Sequence, residues 1–169
     1  MISLKNRNKG FTIVELLIVI VVIGILALLV ITTYSGIQAK ARNSKRSSDI
    51  KSIQTNVEAF FTSAGYYPSR ADMNTASWRS APDHLKSFDQ NALKDPSSTD
   101  CDPATSTATS HPCLIQAVQA KSYSYDVTDK DGNSCEGDDT TCTKYTLTAT
   151  FEGTVNGKTT VTANNQDGS

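Results

Sequence analysis

Histidine is scarce in this chain: only His84 and His111 occur among its 169 residues, both in polar surroundings. No nucleophile motif accompanies them, and no glycine-rich loop of the phosphate-cradling kind appears. An enzyme is therefore not expected, and no cofactor is implied. Pairs of the form C-x-x-C are also missing, which counts against a zinc site even though His111 stands near Cys113. A large excess of charge of either sign is lacking too, with 16 basic and 17 acidic side chains and a formal net charge of −1. Nothing in that balance points to a general nucleic-acid binder.

What is present is concentrated at the start. From Gly10 to Ile31 the chain reads GFTIVELLIVIVVIGILALLVI, and only Thr12, Glu15 and Gly24 break its apolar character. At about 1.5 Å of rise per residue, such a run spans roughly the 30 Å of a bilayer core as a helix. Glu15 is a carboxylate inside that segment. A charge at bilayer depth costs about 2.5–3.5 kcal/mol on insertion scales, so a partner and a purpose are expected for it.

Ahead of the run lies MISLKNRNKG, with Lys5, Arg7 and Lys9 and no acid. An ordinary export signal is cut after its apolar region at a small-x-small site. No A-x-A lies between Ile31 and the next helix-forming stretch; the small residue, Gly10, instead precedes the run. The stretch Lys9-Gly10-Phe11-Thr12-Ile13-Val14-Glu15-Leu16-Leu17 resembles the prepilin processing site of type IV pilins and pseudopilins. The resemblance is specific over about the first third of the chain, and beyond it only the layout is similar.

The resemblance implies that residues 1–10 are a leader, that a prepilin peptidase cuts between Gly10 and Phe11, and that Phe11 becomes an N-methylated amino terminus. It further implies that Glu15 pairs with the Phe11 amine of a neighbouring subunit during assembly. Physical chemistry points the same way, because a buried carboxylate and a buried ammonium each need a close opposite charge to offset desolvation. Losing Lys5, Arg7 and Lys9 from the 16 basic residues leaves 13 against 17 acidic ones, a mature net charge of −4. Many members of the family carry a proline near the end of the apolar run. Thr32 and its neighbours offer none, so extensive melting there is not expected, although Gly24 marks a place for local unwinding or close helix packing.

Past Thr32 the pattern becomes amphipathic. Ile37, Ala41, Ile50, Ile53, Val57, Phe60 and Phe61 recur at mostly three- and four-residue spacing, and Ala64-Gly65-Tyr66-Tyr67-Pro68 reads as a helix stop. Lys40, Arg42, Lys45, Arg46 and Lys51 form a basic cluster, expected to be a solvated or inter-subunit face. Without regular aromatic interleaving it does not point to nucleic acid. Residues 69–112 read as irregular, with a short helix expected over 81–88 that turns Leu85 and Phe88 inward and with Trp78 as a packing anchor. Strands are expected over 122–128, 144–152 and 158–163, the last following the hairpin pair Asn156-Gly157.

Four cysteines, Cys101, Cys113, Cys135 and Cys142, lie downstream of the export signal and suggest two disulfides. Three connectivities are open to them. Short loops favour Cys101 with Cys113 and Cys135 with Cys142. Between the first two strands, Asp129, Asp131, Asn133, Glu136, Asp138 and Asp139 could offer oxygens to calcium. The spacing fails the EF-hand template, so an exposed acidic turn is the stronger reading and no metal is expected.

The fold class expected is α+β: a long N-terminal helix, apolar in its first half and amphipathic in its second, packed on a small antiparallel sheet. The domains would be the leader 1–10, an apolar membrane or filament-core helix 11–36, an amphipathic half 37–65 and a globular head 66–169. The function implied is that of a structural subunit, a major pilin of a type IV pilus serving adhesion, twitching or DNA uptake. Its partners would be copies of itself in a helical filament, the prepilin peptidase, the assembly machinery and, beforehand, the cytoplasmic membrane. A pseudopilin of a secretion or competence system is the first alternative and a monomeric membrane-anchored adhesin the second.

Overall fold

A computed structural model describes residues 10–137 and 140–165. The chain forms two compact units, divided between Ala39 and Lys40. Lys5, Arg7 and Lys9, and with them Asp138 and Asp139, lie outside the described residues.

The first helix, α1, is Ile13–Ala64 and runs unbroken through Gly24. Its stop is the expected one: Gly65 takes φ 82° and its amide donates to the Phe61 carbonyl at 2.8 Å. A left-handed residue at that position satisfies a carbonyl the helix would otherwise strand, and glycine adopts it without steric cost.

In the second unit, α2 (Arg70–Asn74) and α3 (Ala76–Arg79) follow, then a short 3-10 turn, Gln90–Leu93. The strands are β1 (Leu114–Ile115), β2 (Tyr123–Asp129), β3 (Cys142–Val155) and β4 (Lys158–Asn164). They lie in the order β1-β2-β3-β4. β2 pairs antiparallel with β3, from Tyr123 opposite Ala149 to Asp129 opposite Cys142. β3 pairs antiparallel with β4 through a two-residue turn in which Asn156 and Gly157 both have positive φ, 50° and 76°. Two consecutive left-handed residues match the twist of the flanking strands, which is why Asn-Gly was a strong hairpin signal.

One expectation needs correction here. β1 pairs with β2 in parallel, so the sheet is mixed rather than purely antiparallel. Two residues are too short a run for any periodic signal to mark.

The core is where the amphipathic part of α1 meets the sheet. Ile50, Ile53, Val57 and Phe60 are buried together with Tyr123, Tyr125, Tyr145, Leu147 and Ala149. Each such aliphatic or aromatic side chain contributes about 1.5–3 kcal/mol by leaving water. Met73, Leu85, Phe88 and Leu93 belong to the same cluster. Leu85 and Phe88 are buried as expected, but residues 81–88 form turns rather than a helix. Pro82 removes one donor, and the stretch is too short to nucleate on its own.

The α2 helix, by contrast, was read as loop. It starts from a reciprocal cap: the Ser69 hydroxyl accepts from the Asp72 amide at 3.1 Å, and the Asp72 carboxylate accepts from the Ser69 amide at 3.1 Å. Serine followed three residues later by a carboxylate is a sequence signature of a helix start. Ile37 and Ala41, the first two members of the expected apolar stripe, are exposed. The buried stripe of the second unit begins instead with polar residues, Asn43 and Arg46.

Candidate functional site: the start of the apolar helix

Leu16, Leu17, Ile18, Val19, Ile20, Val21, Val22 and Ile23 are all about half exposed or more, and no part of the most apolar 18-residue window is buried. Phe11 is 84% exposed. Exposing so continuous an apolar surface to water is unfavourable, at about 25 cal/mol per Å². A helix apolar on every side belongs in lipid or among other helices. By length and composition this is a candidate membrane span.

At its start, the structure assembles a small polar device. Thr12 directly precedes α1, and Glu15 lies in the helix's first turn. The Glu15 carboxylate accepts from the Thr12 amide at 2.9 Å and from the Thr12 hydroxyl at 2.7 Å. In return the Thr12 Oγ1 accepts from the Glu15 amide at 3.2 Å. This is a capping box, in which two backbone donors at a helix start are satisfied reciprocally. A carboxylate there also complements the positive end of the helix dipole. Sequence reasoning named Glu15 and passed over Thr12. The signal was available, because Thr-x-x-Glu ahead of an apolar run is the signature of such a box.

Gly10 and Phe11 precede the helix in irregular backbone, and both are exposed. A peptide bond between two exposed, non-helical residues is one that a protease can take up in extended form.

The residues of the head assort differently from the sequence expectation. The basic cluster is a free face only in part: Lys40 and Lys51 are exposed, but Arg42, Lys45 and Arg46 are paired within the head. Arg42 donates to Glu152 from Nε and Nη2 at 2.7 and 2.5 Å. Arg46 reaches both Asp95 and Glu152, and Lys45 pairs with Asp49 one turn along at 2.7 Å. Asn43 completes the group: its Nδ2 donates to the Glu152 carbonyl at 3.0 Å and its Oδ1 accepts from the Glu152 amide at 2.9 Å. The two arginines hold the Glu152 carboxyl down to about 2, with hydrogen bonds from Arg42 the main cause. Asp49, which also accepts from the Tyr123 hydroxyl at 2.7 Å, is pushed up by burial. Glu58 likewise stays within the head, accepting from Tyr145 at 2.8 Å and from Tyr67 at 3.0 Å.

Cys101 is joined to Cys113, and Cys135 to Cys142. Among the described residues, the oxygens weighed for calcium are engaged separately. The Asp129 carboxylate accepts from the amides of Asp131 and Asn133 and from the Asn133 side chain, closing its own turn. Asp131 pairs with Lys130, and Glu136 with Arg70 at 2.6 Å. Among the described residues no group of three or more metal-binding side chains is present.

Comparison with known proteins places the likeness at the N-terminal end. Residues 5–31 match the family model of the prokaryotic N-terminal methylation motif. The chain is 38% identical over 61 residues to the type IV major pilin protein PilA of Myxococcus xanthus, covering 36% of this chain and 28% of that one. It is 34% identical over 65 residues to the type II secretion system core protein G of Dickeya chrysanthemi, covering 38% and 42% respectively. It is 39% identical over 54 residues to the type IV major alpha-pilin of Moraxella bovis, covering 32% and 34%. The matched stretch thus spans less than half the length of each of these relatives. No solved structure matches the chain. The relatives are structural proteins rather than enzymes, in keeping with the want of any catalytic motif.

Proposed function

We propose, for a chain that is type IV pilin-like in its N-terminal methylation motif and α+β fold, the role of major subunit of a surface fibre. On this reading a prepilin peptidase cuts after Gly10, the new Phe11 amine is methylated, and the subunit waits in the cytoplasmic membrane. It then polymerises through the apolar part of α1, with the disulfide-tied head outward.

The observation that carries the reading is the pairing of a wholly exposed apolar helix with a single carboxylate at its start. Once the leader is gone, each subunit holds an ammonium at Phe11 and a carboxylate one turn later. Stacked copies can then satisfy both charges inside an apolar core. A monomeric membrane-anchored adhesin gives Glu15 no such partner.

A pseudopilin of a secretion system is the second reading, favoured by the core protein G relatives over the same stretch. The test is N-terminal sequencing of the native protein together with immuno-electron microscopy of the producing cells. Sequence beginning at Phe11 in protein sheared from the surface, with labelled fibres at native expression, supports the pilus. Processed protein that stays with the envelope and forms fibres only on overproduction supports the pseudopilus. Protein retaining residues 1–10 overturns both.

A further inference from the structure

Arg79 is fully buried, yet among the described residues no carboxylate meets it. Its Nη1 donates to the Met73 carbonyl at 2.6 Å. Its Nη2 donates to the Gln90 Oε1 and to the Ser106 hydroxyl, both at 3.2 Å, and to the Pro103 carbonyl. Burial without a counter-charge draws its pKa down to about 10. A guanidinium kept in such a place is expensive, and its Nε has no hydrogen-bond partner. Something in the fold must therefore depend on it.

Pro103 and Ser106 both belong to the loop that the Cys101–Cys113 disulfide closes. The other end of that loop is gripped in the same manner. Asn74, 2% exposed, accepts from the amides of Cys113 and Leu114 at 2.9 and 2.8 Å and donates to the Leu114 carbonyl at 2.8 Å. Between the two grips, the Ala76 amide donates to the Ser106 carbonyl at 3.1 Å. All of these groups come from α2, α3 and the residues joining them, ahead of the loop in sequence. Neither sulfur takes part.

We propose that Asn74 and Arg79 are positioning residues for oxidation: together they form a template that seats the loop and brings the thiols of Cys101 and Cys113 together before the disulfide exists. The covalent bond then locks a loop whose place is already set by hydrogen bonds. In the step itself the two thiols give up two protons and two electrons to a disulfide oxidant such as oxidised glutathione, which leaves as two thiols. The template raises the effective concentration of one cysteine at the other and does no chemistry. By linkage, the closed disulfide strengthens the template to the same degree.

Equilibrating the full-length chain in detergent with reduced and oxidised glutathione, then trapping free thiols and mapping the peptides, gives an effective concentration for each cysteine pair. Arg79→Lys keeps the charge but loses the fork, and Asn74→Ala removes the three bonds at Cys113 and Leu114. Each should lower the value for Cys101–Cys113 by about tenfold, the equivalent of one or two buried hydrogen bonds. The value for Cys135–Cys142 should be unchanged, which also shows that the head is still folded. In Cys101→Ser/Cys113→Ser protein, the amides of Cys113→Ser and Leu114 should stay protected from exchange while Asn74 is present. An unchanged Cys101–Cys113 value in both variants overturns the proposal. So does an equal fall for both pairs, which would mean general destabilisation, or loss of that protection in the double-serine protein.

Discussion

Arg46 and Asp95 meet through two parallel bonds, Nε to Oδ2 at 2.7 Å and Nη2 to Oδ1 at 3.0 Å, with 1% and 0% of their side chains exposed. The fork ties α1 to a loop 49 residues away. Arg46 spends its remaining nitrogen on Asn43 and Glu152, so that helix, loop and β3 share one ionic knot.

Breaking that knot from one side should be costly. Asp95→Asn takes away the buried carboxylate and leaves the guanidinium only the partly exposed Glu152 as counter-charge; losses of a buried partner run to about 3–5 kcal/mol. Denaturant titration of the head's near-ultraviolet signal measures it. The double change Arg46→Met/Asp95→Leu should be milder than Asp95→Asn alone, because it removes both charges together. A double variant worse than the single one would show that the pair's worth lies in shape rather than charge.

Acid should loosen the knot through Glu152. Its folded pKa is depressed to about 2 from an ordinary 4.5. The stability it contributes is complete above the unfolded value and is lost as pH falls from there through the folded one. Asp49 has the opposite sign: burial raises its pKa, so protonation relieves the fold and does not undo it. Melting temperature followed from pH 6 to pH 3, an interval of about the width over which a depressed carboxylate acts, should fall less steeply in Glu152→Gln than in the parent. Identical acid slopes would remove Glu152 from the account.

Much of this was open to reading from residue order, and the part that was not has a physical reason. Alternating Tyr123, Tyr125 and Val127, and the Asn156-Gly157 turn, announce strands because side chains alternate across a sheet with period two. The Gly65 stop likewise has only one good conformational use. Arg42 and Arg46 were misread because charged residues at helical spacing look like a wet face, and nothing local marked Asn43 and Asp49 beside them as buried. Their partners, Asp95, Glu152 and Tyr123, are remote in sequence, and no local pattern reveals such pairings. At the candidate site the reverse holds: Thr12 and Glu15 are local, and the box they form was legible but overlooked.

Processing should depend on the small residue at the start. Gly10→Val is expected to leave the leader attached, read as an N-terminus that does not begin at Phe11. Cleavage at Phe11 in this variant would move the site elsewhere.

Glu15→Leu separates assembly from insertion. The change removes a polar group from a lipid-facing helix, so the amount of processed, membrane-bound protein should hold or rise. Fibres should be few or absent by electron microscopy, because each neighbour's Phe11 ammonium loses its counter-ion at a cost of about 3–5 kcal/mol. Thr12→Val, which takes away only the cap, should cost about 1 kcal/mol at the helix start and leave fibres forming. Abundant fibres from the leucine variant would refute the assembly role of Glu15.

The box between Thr12 and Glu15 bears on how a fibre of such subunits could come apart. A carboxylate already bonded to its own helix start at 2.7 and 2.9 Å is not a bare charge awaiting rescue. Joining a filament is then an exchange of donors, Thr12 for a neighbouring amine. Leaving it returns Glu15 to a partner that never moved away. On the proposed pilus reading, that cap narrows the polar share of the free energy separating membrane-held and assembled subunits. A narrow gap suits a polymer that draws on a membrane reservoir and gives its subunits back to it intact.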